Sequence, residues 1–185
     1  MKYQLVAIFD DESHSKVEAI QRQVCRRFKL YKSNPSIYIP LSTIINPDLE
    51  KLDPLIVKIL SPYKKFKVRI NNGIYVNTDT KQVNLVIDEK GYMFRIWRNV
   101  FDTLQLHGFK LSSTSFQNLN INLQIPLASA NYNIKKVCNQ SLIPVKRELT
   151  LEDYLNFAKV DRIEIWKFNG TKRESIVKSF ELKNF

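Results

Sequence analysis

Ser36-Ile37-Tyr38-Ile39-Pro40-Leu41 and Asn118-Leu119-Asn120-Ile121-Asn122-Leu123-Gln124 are the two stretches that decide the reading of this chain. In both, branched apolar residues alternate with polar or aromatic ones. Successive side chains of a strand point to opposite faces, so the alternation sends one side of each strand into a core and the other onto an open face. Each stretch follows a helical pattern. Val17, Ile20, Val24, Phe28 and Tyr31 recur at three- and four-residue steps and predict a helix over 12–31, capped by Asp10 and Asp11. Phe94, Trp97, Phe101 and Leu104 predict a second over 90–106, closed at Gly108.

Strand patterns at 3–9 and 81–88 precede these helices, so one unit occurs twice. Strand 3–9, helix 12–31 and strand 36–42 parallel strand 81–88, helix 90–106 and strand 117–125. The repeat lies in element order, not in residue identity. Between the units, Leu49, Leu52, Ile56, Ile59 and Leu60 predict a helix over 47–61, with Pro47 in its first turn, a kink or split at Pro54 and a stop at Pro62. Residues 65–76 read as a strand with a turn or bulge at Asn71-Asn72-Gly73. Residues 131–140 and 151–158 carry weaker helical patterns, the second capped by Thr150. The chain ends in a hairpin, 161–168 and 173–182, joined by the two-residue turn Asn169-Gly170. The expected fold is α+β: two pseudo-symmetric β-α-β lobes with antiparallel sheets forming a central cleft, helices on the outer faces, and a C-terminal β-hairpin. Residues 1–185 are expected to form a single bilobal domain.

Composition narrows the function. The 185 residues are 44% hydrophobic, with a formal net charge of +11. A positive field of that size attracts phosphates and acidic surfaces, although a Lys- and Asn-rich, Gly-poor composition contributes to it as well. No apolar run approaches the ~20 residues of a membrane span. The N-terminal stretch reads as a buried strand and not as a signal peptide, which implies a cytoplasmic chain. Cys25 and Cys138 lack metal-ligand spacing and read as free buried thiols. The four glycines form no phosphate-binding loop.

The element order, with Tyr3–Asp10, Phe66–Tyr75, Val83–Asp88, Val160–Phe168 and Ser175–Leu182 at the corresponding places, resembles the two-histidine phosphoesterase superfamily. That group includes the LigT-like 2′-5′ RNA ligases and cyclic nucleotide phosphodiesterases. The resemblance implies a motif of His, an apolar residue, Thr or Ser and another apolar residue on each central strand. One histidine would activate the attacking hydroxyl and the other would protonate the leaving oxygen. On this chain the motifs fall on Tyr38-Ile39-Pro40-Leu41 and Asn120-Ile121-Asn122-Leu123, so both histidines and both hydroxyls are missing. A phenol titrates near ~10 and is a poor base at neutral pH, and an amide has no titrating proton. No catalytic residue, metal site or cofactor is therefore assigned.

Binding is the expected function. Ser36, Tyr38, Ser42, Asn118, Asn120, Asn122 and Gln124 would line a shared groove, with amides bonding bases, sugars or phosphates and Tyr38 stacking on a base. Trp166 is expected to be exposed on the terminal hairpin, where the resemblance brings that strand to the cleft, as a further stacking residue. Lys67 and Arg69 are the expected phosphate contacts, with Lys135, Lys136, Lys146 and Arg147 as further rim charges. His14 is expected to be solvated in the first turn of a helix, and His107 to satisfy helix-terminal carbonyls. The ligand class is RNA or a nucleotide, cyclic nucleotides included. The alternatives are an active phosphodiesterase using Tyr38 with a rim lysine, and a protein-interaction module that kept only the scaffold.

Overall fold

The computed structural model describes residues 1–32, 36–77, 81–88, 91–112, 123–129, 157–168 and 174–184. In chain order they form β1 (Lys2–Phe9), α1 (Asp11–Phe28), β2 (Tyr31–Lys32), β3 (Tyr38–Ile45), α2 (Leu49–Leu60), β4 (Phe66–Asn77), β5 (Gln82–Ile87), α3 (Gly91–Leu106), β6 (Gln124–Ser129), β7 (Phe157–Phe168) and β8 (Glu174–Glu181).

The helices begin and end where local chemistry dictates. Asp10 Oδ1 accepts from the Ser13 amide at 2.9 Å, and Asp11 and Glu12 sit at the positive end of α1. Lys29, at φ 52°, turns the chain out of α1. Asp48, and not Pro47, caps α2, so Pro47 lies outside the first turn. The helix runs on through Pro54 without splitting. After α3, Gly108 adopts φ +78°, and the amides of Gly108 and Phe109 bond back to Gln105 and Leu104.

All strand pairs are antiparallel, in the order β2-β6-β5-β4-β7-β1-β3, with β8 also paired to β7. β4 joins the two halves: Phe66–Arg69 pair with β7, and Ile70 with Ile74–Asn77 pair with β5. Its register slips between Ile70 and Ile74, where the sequence suggested a bulge at Asn71-Asn72-Gly73. At the other end of the order, β3 comes alongside β6, and its edge bonds the segment after α3 through Ile45 N to Lys110 O and Ser112 N to Thr43 O, both 2.8 Å.

One face of the sheet carries the helices. Leu5, Ala7, Ile39, Leu41, Val68, Leu85, Ile125, Ile163 and Ile165 pack there with Val17, Val24, Ile56, Ile96 and Leu104 in one continuous core. α1 is tied to this face by two buried polar side chains that its apolar stripe did not reveal. Gln21 Nε2 donates to the Leu127 carbonyl at 2.7 Å, and Ser13 Oγ accepts from the Lys159 amide at 2.8 Å. The other face of the sheet carries no helix among the described residues. A small cluster of Val6, Ile8, Tyr38 and Trp166 lies on it.

One expectation changes: β7 starts at Phe157, so residues 157 and 158, expected at the end of a helix, are strand. β7 and β8 pair as far as Phe168 and Glu174, and the turn expected at Asn169-Gly170 lies outside the described residues. Of the second motif strand, expected over 117–125, residues 117–122 lie outside the described residues, and β6 runs from Gln124 to Ser129. The expected helix 131–140, most of 151–158, and Thr150 and Cys138 lie outside the described residues. No helix of the described chain is long and apolar enough to cross a membrane.

Candidate functional site

Residues directly opposite each other in antiparallel strands share a face. That rule maps the helix-free face row by row. Ile8 of β1 lies between Tyr38 of β3 and Arg162 of β7. Val6 lies between Pro40 and Glu164, and Gln4 between Thr43 and Trp166. In the other half, Asn84 of β5 lies between Tyr75 of β4 and Pro126 of β6, and Val86 lies opposite Gln124.

The two central strands match in sequence once they are aligned by structure. Tyr38-Ile39-Pro40-Leu41 corresponds to Gln124-Ile125-Pro126-Leu127, with the first and third residues on the helix-free face and the second and fourth in the core. The bulges match too. Leu5 and Val6 pair with Ser42 and Pro40, which leaves Leu41 as the extra residue. Val83 and Asn84 pair with Ala128 and Pro126, which leaves Leu127 extra. Proline cannot donate to a ladder and is tolerated in sheets at such irregularities. Gln124 on β6 thus occupies the place that Tyr38 occupies on β3, while Asn120, on which the resemblance set the second motif, lies outside the described residues.

Tyr38 is not on an open groove. It is 5% exposed, and its ring meets Trp166 edge to face with centroids 4.6 Å apart. Trp166, expected to be exposed, is 3% exposed and donates its indole N–H to Glu164 Oε2 at 2.7 Å. Alternation on β7 placed it on the correct face, but neighbours fill the space around it. Ser42 also departs from expectation: the bulge at Leu41 puts it opposite Leu5, on the core side, and buried. Ser36 is half-buried just before β3. Gln124 is half-buried on the helix-free face, where Asn84 Nδ2 donates to its Oε1 at 2.9 Å. Lys67 and Arg69 are exposed on that face. Asn118, Asn120, Asn122, Lys135, Lys136, Lys146 and Arg147 lie outside the described residues.

Neither histidine is on a central strand. His14 is half-buried in the first turn of α1 and so less open than expected, while exposed His107 places its Nδ1 2.8 Å from the Thr103 carbonyl at the end of α3.

A charged ladder is the feature that sequence reasoning missed. Glu164, 3% exposed, accepts from Arg162 Nε at 2.7 Å as well as from Trp166. Arg162 Nη1 lies 3.4 Å from Asp161 Oδ2, and Lys65 Nζ lies 2.7 Å from Asp161 Oδ1. The Lys65 hydrogen bond holds the Asp161 carboxyl below the usual range against the opposing effect of burial, and Glu164 raises the Arg162 guanidinium further. The signal was present as the run Asp161-Arg162-Ile163-Glu164, which sets charges of both signs between the buried Val160, Ile163 and Ile165. Among the described residues no group of three His, Cys, Asp or Glu side chains could hold a metal ion.

Comparison with known proteins identifies the fold. A Thermus thermophilus protein, TT0787, aligns over 100% of this chain and 99% of its own, with a TM-score of 0.67 at 12% identity. Apo E. coli LigT aligns over 99% and 98%, with a TM-score of 0.65 at 10% identity. Kluyveromyces marxianus Usb1 aligns over 98% and 97%, with a TM-score of 0.58 at 14% identity. No family model and no curated protein matches the sequence. The chain therefore has the fold of the LigT-like phosphoesterases, and at these identities the likeness establishes architecture alone.

Proposed function

We propose that this chain is a two-histidine phosphoesterase relative that has kept the nucleotide-binding face and lost the proton-transfer chemistry. The observation that carries this is the matched pair Tyr38-Ile-Pro-Leu41 and Gln124-Ile-Pro-Leu127 on the two central strands. At the positions where the superfamily holds histidines, the chain has a phenol wedged against Trp166 and an amide bonded by Asn84. Where it holds hydroxyls, the chain has proline. Loss of one general acid or base typically costs ~10²–10⁴ in rate, and here both are replaced.

The remaining chemistry suits binding. E. coli LigT has been solved with phosphate, 3′-AMP, NADP+ and ATP, all phosphates or nucleotides. Exposed Lys67 and Arg69 put positive charge on the same face of this chain, and the net charge of +11 reinforces it. We assign RNA or a nucleotide phosphate as the ligand class. The test is titration with short single-stranded RNA, a nucleoside 3′-monophosphate and a 2′,3′-cyclic nucleotide at two salt concentrations, with a turnover assay on the cyclic nucleotide across pH. Binding that weakens with salt, without turnover, is expected. Absence of binding at low salt overturns the reading. Turnover that is lost in Tyr38→Phe would instead establish an enzyme with replaced catalytic groups.

A further inference from the structure

The β4–β7 junction carries a row of cations. Lys67 lies directly opposite Lys159, and Arg69 directly opposite Phe157. Phe66 and Val68 face the core, so these four side chains share the helix-free face. Two lysines directly across an antiparallel pair repel each other, an arrangement that costs stability unless an anion joins them. Among the described residues neither lysine nor Arg69 has an ion-pair partner. Phe157 is 36% exposed, an unusual position for an aromatic ring with nothing to cover it among those residues.

Arg162 continues the row. It lies on the same face, across Ile8 from Tyr38. Its Nε is held by buried Glu164 at 2.7 Å, and Nη1 reaches Asp161 at 3.4 Å. Among the described residues Nη2 has no partner, and the side chain is 34% exposed. A guanidinium held at Nε and Nη1 presents Nη2 as a preoriented charged donor, which suits a phosphate oxygen.

We propose that Arg162, Lys159, Lys67 and Arg69 form a phosphodiester-binding strip with Phe157 as a base-stacking platform, and that the ligand is a single strand of RNA several nucleotides long. This rests on the nucleotide-binding reading of the face and specifies its ligand. Two cations two residues apart on one strand are about 6.6 Å apart, on the scale of successive phosphates in an extended strand. A mononucleotide would use one contact of this kind, whereas a strand uses several. Cations with an interleaved aromatic are how proteins hold single strands without reading sequence.

The experiment is fluorescence anisotropy with a labelled single-stranded RNA of about ten nucleotides, alongside a labelled nucleoside 3′-monophosphate, over a series of salt concentrations. The strip requires RNA to bind at least about tenfold more tightly than the mononucleotide. Lys67→Ala/Lys159→Ala should flatten the dependence of log K on log salt by about 1.4, two contacts at about 0.7 each. Phe157→Ala should weaken RNA binding about tenfold with the slope unchanged. Arg162→Gln disturbs Glu164 as well, so the lysine and Phe157 variants, whose side chains lie outside that network, carry the test. RNA binding no tighter than that of the mononucleotide, or an unchanged slope in the double lysine variant, overturns the strip while leaving the nucleotide reading standing. Binding of neither ligand by the unaltered protein overturns both.

Discussion

Glu164 is a carboxylate at 3% exposure in a sheet, and an unpaired charge there would be costly. Three donors and cations in series make it tolerable: Trp166 and Arg162 on Glu164, and Lys65 on Asp161 behind Arg162. Removing one donor leaves an acceptor without a partner, which costs about 1–3 kcal/mol. Trp166→Phe keeps most of the ring contact with Tyr38 but loses the indole N–H, so urea unfolding should show a loss of that size. Lys65→Met tests the far end through pH. Lys65 holds the Asp161 carboxyl below its usual 3.8. A carboxyl lowered in this way adds stability above its unfolded value and loses it as pH falls through the folded one. The stability gap between the natural protein and Lys65→Met should therefore be full at neutral pH and close as pH drops below 3.8. A gap undiminished at about pH 2 would mean that the pair does not act through ionisation. Sequence inspection found Trp166 and its face, because the alternation with Ile163 and Ile165 is visible in one dimension. It missed the burial, which depends on Tyr38 arriving from a strand 128 positions away, a separation read from the numbering itself.

At the scale of elements, the helices were legible, while the register of the second motif strand was open. Spacing at three and four residues, with Asp10, Pro47 and Gly108 as boundary signals, is enough to locate α1, α2 and α3 within a few residues, although Asp48 and not Pro47 makes the cap of α2. A strand's side-chain period of two leaves its register open, and Asn120-Ile-Asn-Leu123 and Gln124-Ile-Pro-Leu127 alternate equally well. The repeated Ile-Pro-Leu at 39–41 and 125–127 was the available discriminator. Its meaning became clear only from the bulges at Leu41 and Leu127, which explain why proline is tolerated at both places. Pro54 is the element-scale cost that can be recovered. It interrupts α2 where its missing N–H would bond the Glu50 carbonyl, and it is exposed, so no packing depends on its ring. A proline inside a helix costs about 3 kcal/mol. Pro54→Ala should raise the unfolding midpoint by several degrees in thermal circular dichroism, at about 2–4 °C per kcal/mol for a chain of this size. No rise would mean that α2 already bends around Pro54 without penalty.

At the scale of the molecule, the question is whether two similar halves behave as one unit. Each has its own β-α-β succession, and such halves can fold separately when little joins them. Here several elements are shared. β4 pairs with β7 at one end and β5 at the other. α1 belongs to the first half by sequence, yet Gln21 holds the Leu127 carbonyl in β6 while Ser13 holds the Lys159 amide in β7. The edge of β3 is bonded by Lys110 and Ser112, which follow α3. The helix-side core runs without a break through residues of both halves. Opening either half would expose that core and strand Gln21 or the β3 edge, so unfolding should be one cooperative transition. The two tryptophans report on it separately: Trp97 lies on α3 in the second half, and Trp166 on β7 beside β1 and β3 in the first. In Trp166→Phe the fluorescence belongs to Trp97, and in Trp97→Phe to Trp166. Within each variant, the urea midpoint by fluorescence should coincide with that by far-ultraviolet circular dichroism. A fluorescence midpoint displaced from the circular dichroism midpoint in either variant would show that one half melts before the other, and that β4 and α1 are hinges between units instead of members of a common core.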